Sequence, residues 1–319
     1  MRYYLEFEKR LEPYERRLEE IKRFHNPEDP SYAKEIERLK RKIRKLEKEV
    51  YGSLSDWQRF QLSRHPLRPH TLDYVDALFH DFVELHGDRK FRDDPAIVCG
   101  FARFEGIKIA LVGHQKGKDL REIAYRNFGM AHPEGYRKAM RIMELADRWR
   151  KPLVTFIDTP GAFPGIGAEE RGIAEAIASS IYLMFSLSIP IVTIVIGEGG
   201  SGGALAIGVG DRVLMLENAS YSVISPEGCA AILFRDGKKG PEACEALKLA
   251  SHHLLTLGVI DEVIKEPFGG AHRNWDETFS NVKEALLRHL TDIIDQPPDI
   301  LREGRAGKYK RMGRFKEET

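Results

Sequence analysis

The chain has 319 residues, of which 42% are hydrophobic and 31% are charged, a composition typical of a globular protein with a sizeable core. Fifty Lys and Arg against 49 Asp and Glu leave a formal net charge of +1, so no global field attracts nucleic acid or an anionic membrane. No apolar run reaches the roughly 18 residues of a membrane span, and the charged N-terminus lacks an apolar signal core. We therefore expect a cytoplasmic protein without a membrane or nucleic-acid partner.

Three cysteines are present, Cys99, Cys229 and Cys244, and no two of them have CxxC spacing. An odd number without such a pair excludes a disulfide framework and a four-cysteine zinc site within the chain. We expect reduced thiols and no metal in this chain.

Residues 1–52 are predicted to form an N-terminal helical hairpin. The segment is dense in Glu, Lys and Arg, and Asp29 followed by Pro30 is a typical cap and first helical position. The apolar residues of its second half recur in steps of three and four, which places them on one helical stripe: they are Ile36, Leu39, Ile43, Leu46 and Val50.

Residues 53–296 are predicted to form an α/β domain of repeated ββα or βα units. The segments 96–104 and 107–114 are predicted strands joined by a tight turn at Glu105-Gly106. The other strands are expected at 152–158, 190–196, 212–217 and 221–224, and helices after Pro133, around Ile173 to Ile181, and over 226–234, 241–256 and 276–294. Residues 297–319 are expected to be a basic C-terminal tail that is solvated or docked on a partner.

The strongest local feature is the glycine-rich segment 197–204, which directly follows the apolar run 190–196. Glycine at this density lets a backbone approach a ligand closely, and unpaired N–H groups at a helix start favour negative charge. Three chemical interpretations fit it. In the first, Gly197, Gly199 and Gly202 match a dinucleotide fingerprint with Glu217 as the ribose acid.

The second interpretation makes Ser201, within Gly199-x-Ser201-x-Gly203, the nucleophile of a hydrolase, with Asp261 and His272 following in the right order. The third makes the segment a peptide oxyanion hole without a side-chain nucleophile. A plain glycine turn for close helix–strand packing is also possible from the pattern alone.

A second loop, residues 158–172, follows the preceding predicted strand. Loops at the carboxyl ends of neighbouring parallel strands line one cleft. Pro160 and Pro164 stiffen this loop, and Phe163 offers an apolar wall. Such a rim suits a planar ring or an acyl group better than a pyrophosphate, and no Gly-Lys-Ser/Thr sequence is present for a Walker A phosphate site.

Two further segments allow both a structural and a functional interpretation. Ser225-Pro226-Glu227 is an ordinary helix start, or it forms the floor of the cleft opposite the glycine-rich segment. His114 and Lys116 follow a predicted strand, and either could contact substrate or support residues that do. The role of His272 is equally open.

Six motifs occur together and in order: Gly113–Gly117, Thr159–Gly165, Gly167–Gly172, Gly197–Ala206, Ser222–Cys229 and Gly269–Arg273. Over about residues 50–300 the chain therefore resembles the carboxyltransferase alpha subunits of bacterial acetyl-CoA carboxylases, members of the crotonase-like superfamily. Six motifs in register are far more specific than any one glycine-rich loop.

The resemblance implies a crotonase-type fold and a carboxyl transfer from N-carboxybiotin, on a biotin carboxyl carrier protein, to acetyl-CoA, which gives malonyl-CoA for fatty acid synthesis. It also implies an active site shared with a beta subunit that carries a zinc ribbon, an alpha2-beta2 heterotetramer, and a biotin carboxylase that supplies the carboxylated carrier. A chain of this kind is active only with its beta subunit.

By the same resemblance, the peptide N–H groups of Gly202 and Gly203 are the catalytic donors that face biotin. The residues expected to bind carboxybiotin lie in three segments: Gly161, Ala162, Phe163, Pro164 and Gly165; Gly199, Gly200, Ser201 and Ala204; and Ser225, Pro226 and Glu227. A serine hydrolase using Ser201 and a dinucleotide-binding oxidoreductase are the alternatives.

Overall fold

A central sheet organises the chain. The structure, a computed structural model, describes residues 3–24 and 30–313. Its strands are β1 (His80–Glu84), β2 (Ile97–Phe104), β3 (Ile107–His114), β4 (Leu153–Thr159), β5 (Ile191–Gly200), β6 (Arg212–Leu216), β7 (Ser220–Ser222) and β8 (Glu262–Ile264). Their order is β1-β2-β3-β4-β5-β6-β8, and β7 also pairs with β5. β1, β2 and β3 are antiparallel, whereas β3 to β6 and β8 are parallel, as is the β5–β7 pair.

The β2–β3 hairpin confirms the predicted turn at Glu105-Gly106. Both residues have positive φ angles, 47° and 82°, as a two-residue turn between twisted antiparallel strands requires. β4 is buried along its whole length and β5 along nearly all of it, which agrees with their continuous apolar sequences and with helices on both faces of a parallel sheet.

The α-helices pack on the sheet and form most of the described N-terminal and C-terminal segments. They are α1 (Glu12–Phe24), α2 (Pro30–Tyr51), α3 (Asp56–Ser63), α4 (Thr71–Leu78), α5 (Leu120–Tyr125), α6 (Pro133–Arg148), α7 (Ile166–Glu170), α8 (Ile173–Ser186), α9 (Ser201–Leu205), α10 (Pro226–Leu233), α11 (Gly240–Leu247), α12 (Ser251–Thr256), α13 (Trp275–Ile293) and α14 (Pro298–Lys310). On α13 the predicted stripe is confirmed: Val282, Leu286, Leu290 and Ile293 are buried and Phe279 packs beside them.

α1 and α2 form the predicted helical N-terminus. Its second helix begins at Pro30; the proposed cap Asp29 lies outside the described residues. The stripe residues Ile36, Ile43 and Leu46 are buried. Arg273 ties the hairpin to the main domain through ion pairs with Glu15 and Glu47.

The predicted helix 241–256 is wrong as a single element. It divides into α11 and α12 because Lys248 takes a left-handed conformation with φ 53°. Ala250 then pairs with Ser220 in an isolated bridge. The break turns α12 toward the N-terminal end of α3, where Asp56 contacts His253.

The segment 297–319, expected to be a basic tail, contains α14. Arg305 of this helix is buried and bonds to Asp211 and to three carbonyl oxygens of the segment 184–189. The basic side chains from Arg314 onward lie outside the described residues. The boundaries 1–52, 53–296 and 297–319 stay a prediction.

Candidate active site

The carboxyl ends of β4 and β5 meet at one edge of the sheet. Thr159 pairs with Gly199 in the parallel register. A Cβ atom on Gly200 would lie 2.1 Å from the Pro160 oxygen, and one on Gly203 would lie 2.5 Å from both the Gly161 carbon and the Ala162 nitrogen. The two glycine-rich segments are therefore in backbone contact, and only glycine fits at these two positions.

The glycine-rich segment is less of a loop than the sequence suggests. β5 continues through Gly200, and α9 begins immediately at Ser201, whose φ of 53° makes the sharp turn between them. Within the described chain, neither the Gly202 nor the Gly203 N–H donates to a protein acceptor. These two amides thus have no protein acceptor; Gly202 is half-buried and Gly203 is buried.

Ser201 lacks the partners that a hydrolase needs. Its side chain is exposed, and its hydroxyl makes no hydrogen bond to any described residue. Asp261 instead accepts from the Val213 amide and pairs with Lys308, and His272 stacks on His65 at 3.8 Å. The predicted Ser–Asp–His constellation is therefore not assembled.

The dinucleotide interpretation fails for a similar reason. Glu217, the candidate ribose acid, pairs with Lys265 and accepts from the Glu266 amide. Gly197 and Gly199 belong to β5 and are not in a turn between strand and helix. The fingerprint needs that turn so that the pyrophosphate can approach the helix start.

An apolar groove of about 320 Å³ opens beside the first turn of α9, within the size range of small-molecule sites, about 300–1,000 Å³. Gly202 lies at its edge together with Ser201. The rest of the lining comes from α9, β6, β7 and α14 and from residues that follow β7, α12 and α14: Leu205, Val213, Tyr221, Ser222, Val223, Val259, Tyr309 and Met312.

The loop after β4 is held in shape by local contacts. Thr159 Oγ1 donates to the Gly161 oxygen at 2.7 Å and accepts from the Gly161 amide at 3.1 Å. The Phe163 amide donates to the Ala131 oxygen at 3.0 Å, and its ring stacks on His132 at 4.0 Å. Phe163 is therefore half-buried and not a free wall, whereas Pro164 and Gly165 are exposed.

The segment 225–227 is a helix start, as one of its two interpretations predicts. Ser225 Oγ accepts from the Gly228 amide at 3.1 Å and so caps α10. Glu227 pairs with Arg64 at 2.6 Å. Ser222 and Val223 line the apolar groove, and Ser225, Pro226 and Glu227 are not among its lining residues.

A cluster of five ionisable side chains lies directly under the two strand ends. Lys116 Nζ is 2.8 Å from Asp158 and 2.7 Å from Glu198, Arg64 Nε is 2.5 Å from Glu198, and His70 Nδ1 is 3.0 Å from Asp158. The Glu198 amide also donates to Asp158 at 3.1 Å. The cluster therefore ties the end of β4 to the end of β5.

The charges in this cluster are matched. Burial by itself would raise the pKa of Asp158, but Lys116 and the hydrogen bond from His70 hold it well below its usual range. Burial opposes the charge on Lys116, yet the two carboxylates raise its pKa. Both groups are ionised at neutral pH, so the end of each strand is fixed by charge-assisted bonds.

His114, from the segment 113–117, is fully buried at the end of β3. Burial lowers its pKa to about 4, so the ring is neutral at pH 7. Neither ring nitrogen has a hydrogen-bond partner among the described side chains and peptides. Lys116 of the same segment serves the ion cluster, which favours a supporting role over substrate contact.

The roles of Arg64, His70, Asp158 and Glu198 were not predicted from the sequence. Asp158 and Glu198 carried a usable signal, since each is a carboxylate placed at the end of a long apolar strand, where an unpaired charge would be costly. Arg64 and His70 lie 134 and 88 residues from their partners, and no local pattern joins them.

No helix in the described part of the chain is long and apolar enough to cross a membrane.

Solved structures with the same fold are enzymes that handle carboxyl groups. Transcarboxylase 12S, solved with methylmalonyl-coenzyme A and methylmalonic acid bound, aligns with a TM-score of 0.56 and 23% identity over 70% of this chain and 42% of that one, so the present chain spans less than half of it. The Pseudomonas malonate decarboxylase MdcD-MdcE heterodimer aligns with a TM-score of 0.56 and 16% identity over 68% of this chain and 89% of that one. The fold is therefore the crotonase-type fold of carboxyltransferases.

Sequence comparisons narrow this class to one family. The family model described as acetyl co-enzyme A carboxylase carboxyltransferase-like matches residues 4–313. The acetyl-coenzyme A carboxylase carboxyl transferase subunit alpha of Syntrophotalea carbinolica is 55% identical over 99% of this chain and 100% of its own length, and that of a Thermus thermophilus strain is 54% identical over 98% and 99%. The chain belongs to this acetyl-CoA carboxylase carboxyltransferase family, and it is part of a carboxyl-transferring enzyme built from more than one kind of subunit.

Proposed function

We propose that this chain acts with a zinc-ribbon beta subunit to transfer the carboxyl group of carboxybiotin, held on a biotin carboxyl carrier protein, to acetyl-CoA. The product is malonyl-CoA for fatty acid synthesis, and the carrier is recharged by a biotin carboxylase. Support comes from the family match over residues 4–313 and from relatives named alpha subunits along nearly their whole length. The zinc belongs to the partner, and the assembly is an alpha2-beta2 heterotetramer.

The observation that carries the proposal is that the Gly202 and Gly203 amides, at the start of α9, have no protein acceptor in the described structure. Loss of the carboxyl group leaves negative charge on the ureido oxygen of the biotin substrate. Two backbone N–H groups fixed at the start of α9 can donate to that oxygen without having to reorganise. The groove beside Gly202 is apolar, and low local polarity strengthens such bonds.

The remaining predicted site residues would shape the substrate position. Gly161 and Ala162 pack against Gly203, so the loop 161–165 sets where the two amides lie. The ion cluster beneath fixes the same strand ends from the other side. Ser225 and Pro226 start α10, and Glu227 on that helix contributes through Arg64, which pairs with both Glu227 and Glu198.

The test is reconstitution with the zinc-ribbon subunit and an assay of biotin-dependent malonyl-CoA decarboxylation, the reverse reaction. We expect no activity from the chain alone. In Gly203→Ala, the added methyl group must displace the 161–162 backbone and so misplace the amide; we expect turnover to fall by about 100-fold or more. Gly304→Ala is the matched control, because a Cβ there meets nothing within 4 Å.

Size-exclusion chromatography of each variant with the beta subunit checks that assembly survives. Full activity without a partner would contradict the shared site. Unchanged turnover in an assembled Gly203→Ala complex would show that these amides do not stabilise the developing charge, and that the chain only completes a site owned by its partner.

A further inference from the structure

A second group of side chains, outside the site described above, brings three metal-ligating atoms together. Asp56 opens α3, and His252 and His253 lie side by side on α12. His253 Nε2 is 2.8 Å from Asp56 Oδ2, and His252 Nε2 is 3.7 Å from Asp56 Oδ1. All three donor atoms fall within 4.8 Å of one another, although Asp56 and His253 are 197 positions apart in the sequence.

These spacings match those of ligands on one ion. Donors bound to zinc at 2.0–2.1 Å in a tetrahedron lie about 3.4 Å apart, between the two distances observed. We propose that Asp56, His252 and His253 bind a divalent transition-metal ion such as Zn²⁺, Co²⁺ or Ni²⁺. Two imidazoles with one carboxylate select these ions over Mg²⁺ and Ca²⁺, which prefer oxygen ligands.

Cys244 is buried and does not belong to the group of three mutually close donor atoms, so it is not counted as a ligand.

Three protein ligands leave room for water or a small anion on the ion. Asp56 and His252 line a cavity of about 790 Å³, whose wall also carries Arg59, Glu217 and Lys265. The open coordination positions can therefore be filled from solvent.

A second cluster of this kind, Glu8, His65 and His272, is a poorer candidate. The Leu67 amide donates to His65 Nδ1 at 3.2 Å, so the neutral ring carries its proton on Nε2, where the Tyr3 oxygen lies 3.4 Å away. Metal binding through Nε2 would need a doubly deprotonated ring. Neither nitrogen of His252 or His253 is blocked by a backbone donor in the described structure.

Metal binding would clamp two elements that no covalent bond joins. α3 leads into Arg64, which pairs with Glu198 and Glu227 beside the candidate active site. α12 follows the break at Lys248 that the sequence did not predict. An ion held between the two helices would therefore fix the position of α3 on the domain. The site is separate from the zinc expected in the partner subunit.

The test is calorimetric titration of Zn²⁺ into the full-length, tag-free chain without its partner, with Co²⁺ absorption as a second readout. We expect one ion per chain and visible bands typical of four or five ligands. Asp56→Asn, His252→Gln and His253→Gln should each weaken binding at least about tenfold, as even supporting residues of metal sites do. Zn²⁺ should raise the Tm of the unmodified chain and not of these variants.

His289→Gln and Glu8→Gln are the matched controls. His289 pairs with Glu262 at 2.7 Å without a second histidine, and Glu8 belongs to the other cluster; neither variant should change the affinity. Absence of binding at millimolar Zn²⁺ would overturn the proposal. So would binding that survives His252→Gln/His253→Gln, or that is lost in Glu8→Gln.

Discussion

Ser201 is the residue at which the chemical interpretations of the glycine-rich segment differ most. A nucleophile needs a base within hydrogen-bond reach, and the described structure gives the Ser201 hydroxyl none. We expect Ser201→Ala to keep the carboxyltransferase turnover of the reconstituted enzyme, and a fluorophosphonate probe to leave Ser201 unlabelled in intact-mass and peptide analysis. Stoichiometric labelling at Ser201 that is abolished by the substitution would restore the hydrolase interpretation.

Individual residues also show which parts of the candidate site could be predicted from the sequence and which could not. Gly200 and Gly203 could be singled out from the sequence, because close backbone contact requires glycine and so makes the segment rich in glycine. The ion cluster as a whole could not be predicted, since its members come from four separate segments and meet only in the folded chain; Asp158 and Glu198 alone stand out as carboxylates at the ends of apolar strands. Lys116 was noticed but its role stayed open, because a lysine after a strand can point to solvent as easily as to a buried carboxylate.

At the scale of elements, Arg305 is the buried charged side chain by which α14 bonds to the domain. Arg305 makes five hydrogen bonds, two to Asp211 and three to backbone oxygens, and is buried. Removing one partner of a buried ion pair leaves the other charge uncompensated. We expect Arg305→Met to lower the free energy of unfolding by about 3–5 kcal/mol, as measured by urea denaturation.

Arg302→Met, on the same helix, is the control. Its guanidinium is exposed and pairs with Asp299 three residues away, so the expected change is within about 0.5 kcal/mol. Equal losses for the two variants would mean that α14 is held by general packing and not by the Arg305–Asp211 pair.

The hairpin of α1 and α2 depends on Arg273 in a comparable way. Arg273 contacts Glu15 and Glu47, and these hydrogen bonds raise its pKa although burial opposes the charge. We expect Arg273→Gln to cost about 3 kcal/mol locally, because Glu15 is nearly fully buried. Hydrogen exchange should become faster in α1 and α2 and stay unchanged in β4 and β5.

Arg10→Gln provides the comparison within the same segment, since Arg10 pairs with Glu49 at the surface and exposed pairs contribute about 0–1 kcal/mol. If exchange in the hairpin rises equally in both variants, Arg273 is not its main attachment.

Periodicity predicted most of these elements because apolar spacing directly records which face is buried. It failed where few residues carry the pattern. β1 and β8 have five and three residues and half-exposed sequences, so they were not predicted. α14 is polar overall and is attached in part by polar side chains, Arg305 and Lys308, so composition favoured a tail.

At the scale of the whole molecule, the order of the strands in the sheet determines which strand ends lie next to one another. β4 and β5 are neighbours and parallel, so their carboxyl ends had to meet, and this could be predicted from alternation of strands and helices. The position of β7 on the far end of β5 could not be predicted in this way, since it depends on pairing between residues 198–200 and 220–222. That pairing places Ser222 and Val223 in the groove in place of the predicted Ser225.

The stability of the whole chain should depend on pH through two buried histidines. Burial lowers the pKa of His65 to about 3 and that of His114 to about 4, against about 6.5 in the unfolded chain. The unfolded state binds more protons in this window, so their contribution is complete above about pH 6.5 and is lost as the pH falls. Each of the two histidines lowers the free energy of unfolding by roughly 2 kcal/mol by pH 5. This happens before Asp158, whose pKa is also lowered, begins to titrate near pH 4 in the unfolded chain.

Urea unfolding at pH 7.5 and pH 5 measures the loss. In His65→Gln, the free energy of unfolding should differ between pH 7.5 and pH 5 by about half as much, because one titrating ring is gone. His86→Gln, at an exposed site, should show the full difference. A loss of the same size in His65→Gln and in the unmodified chain would show that His65 is not held neutral by the fold.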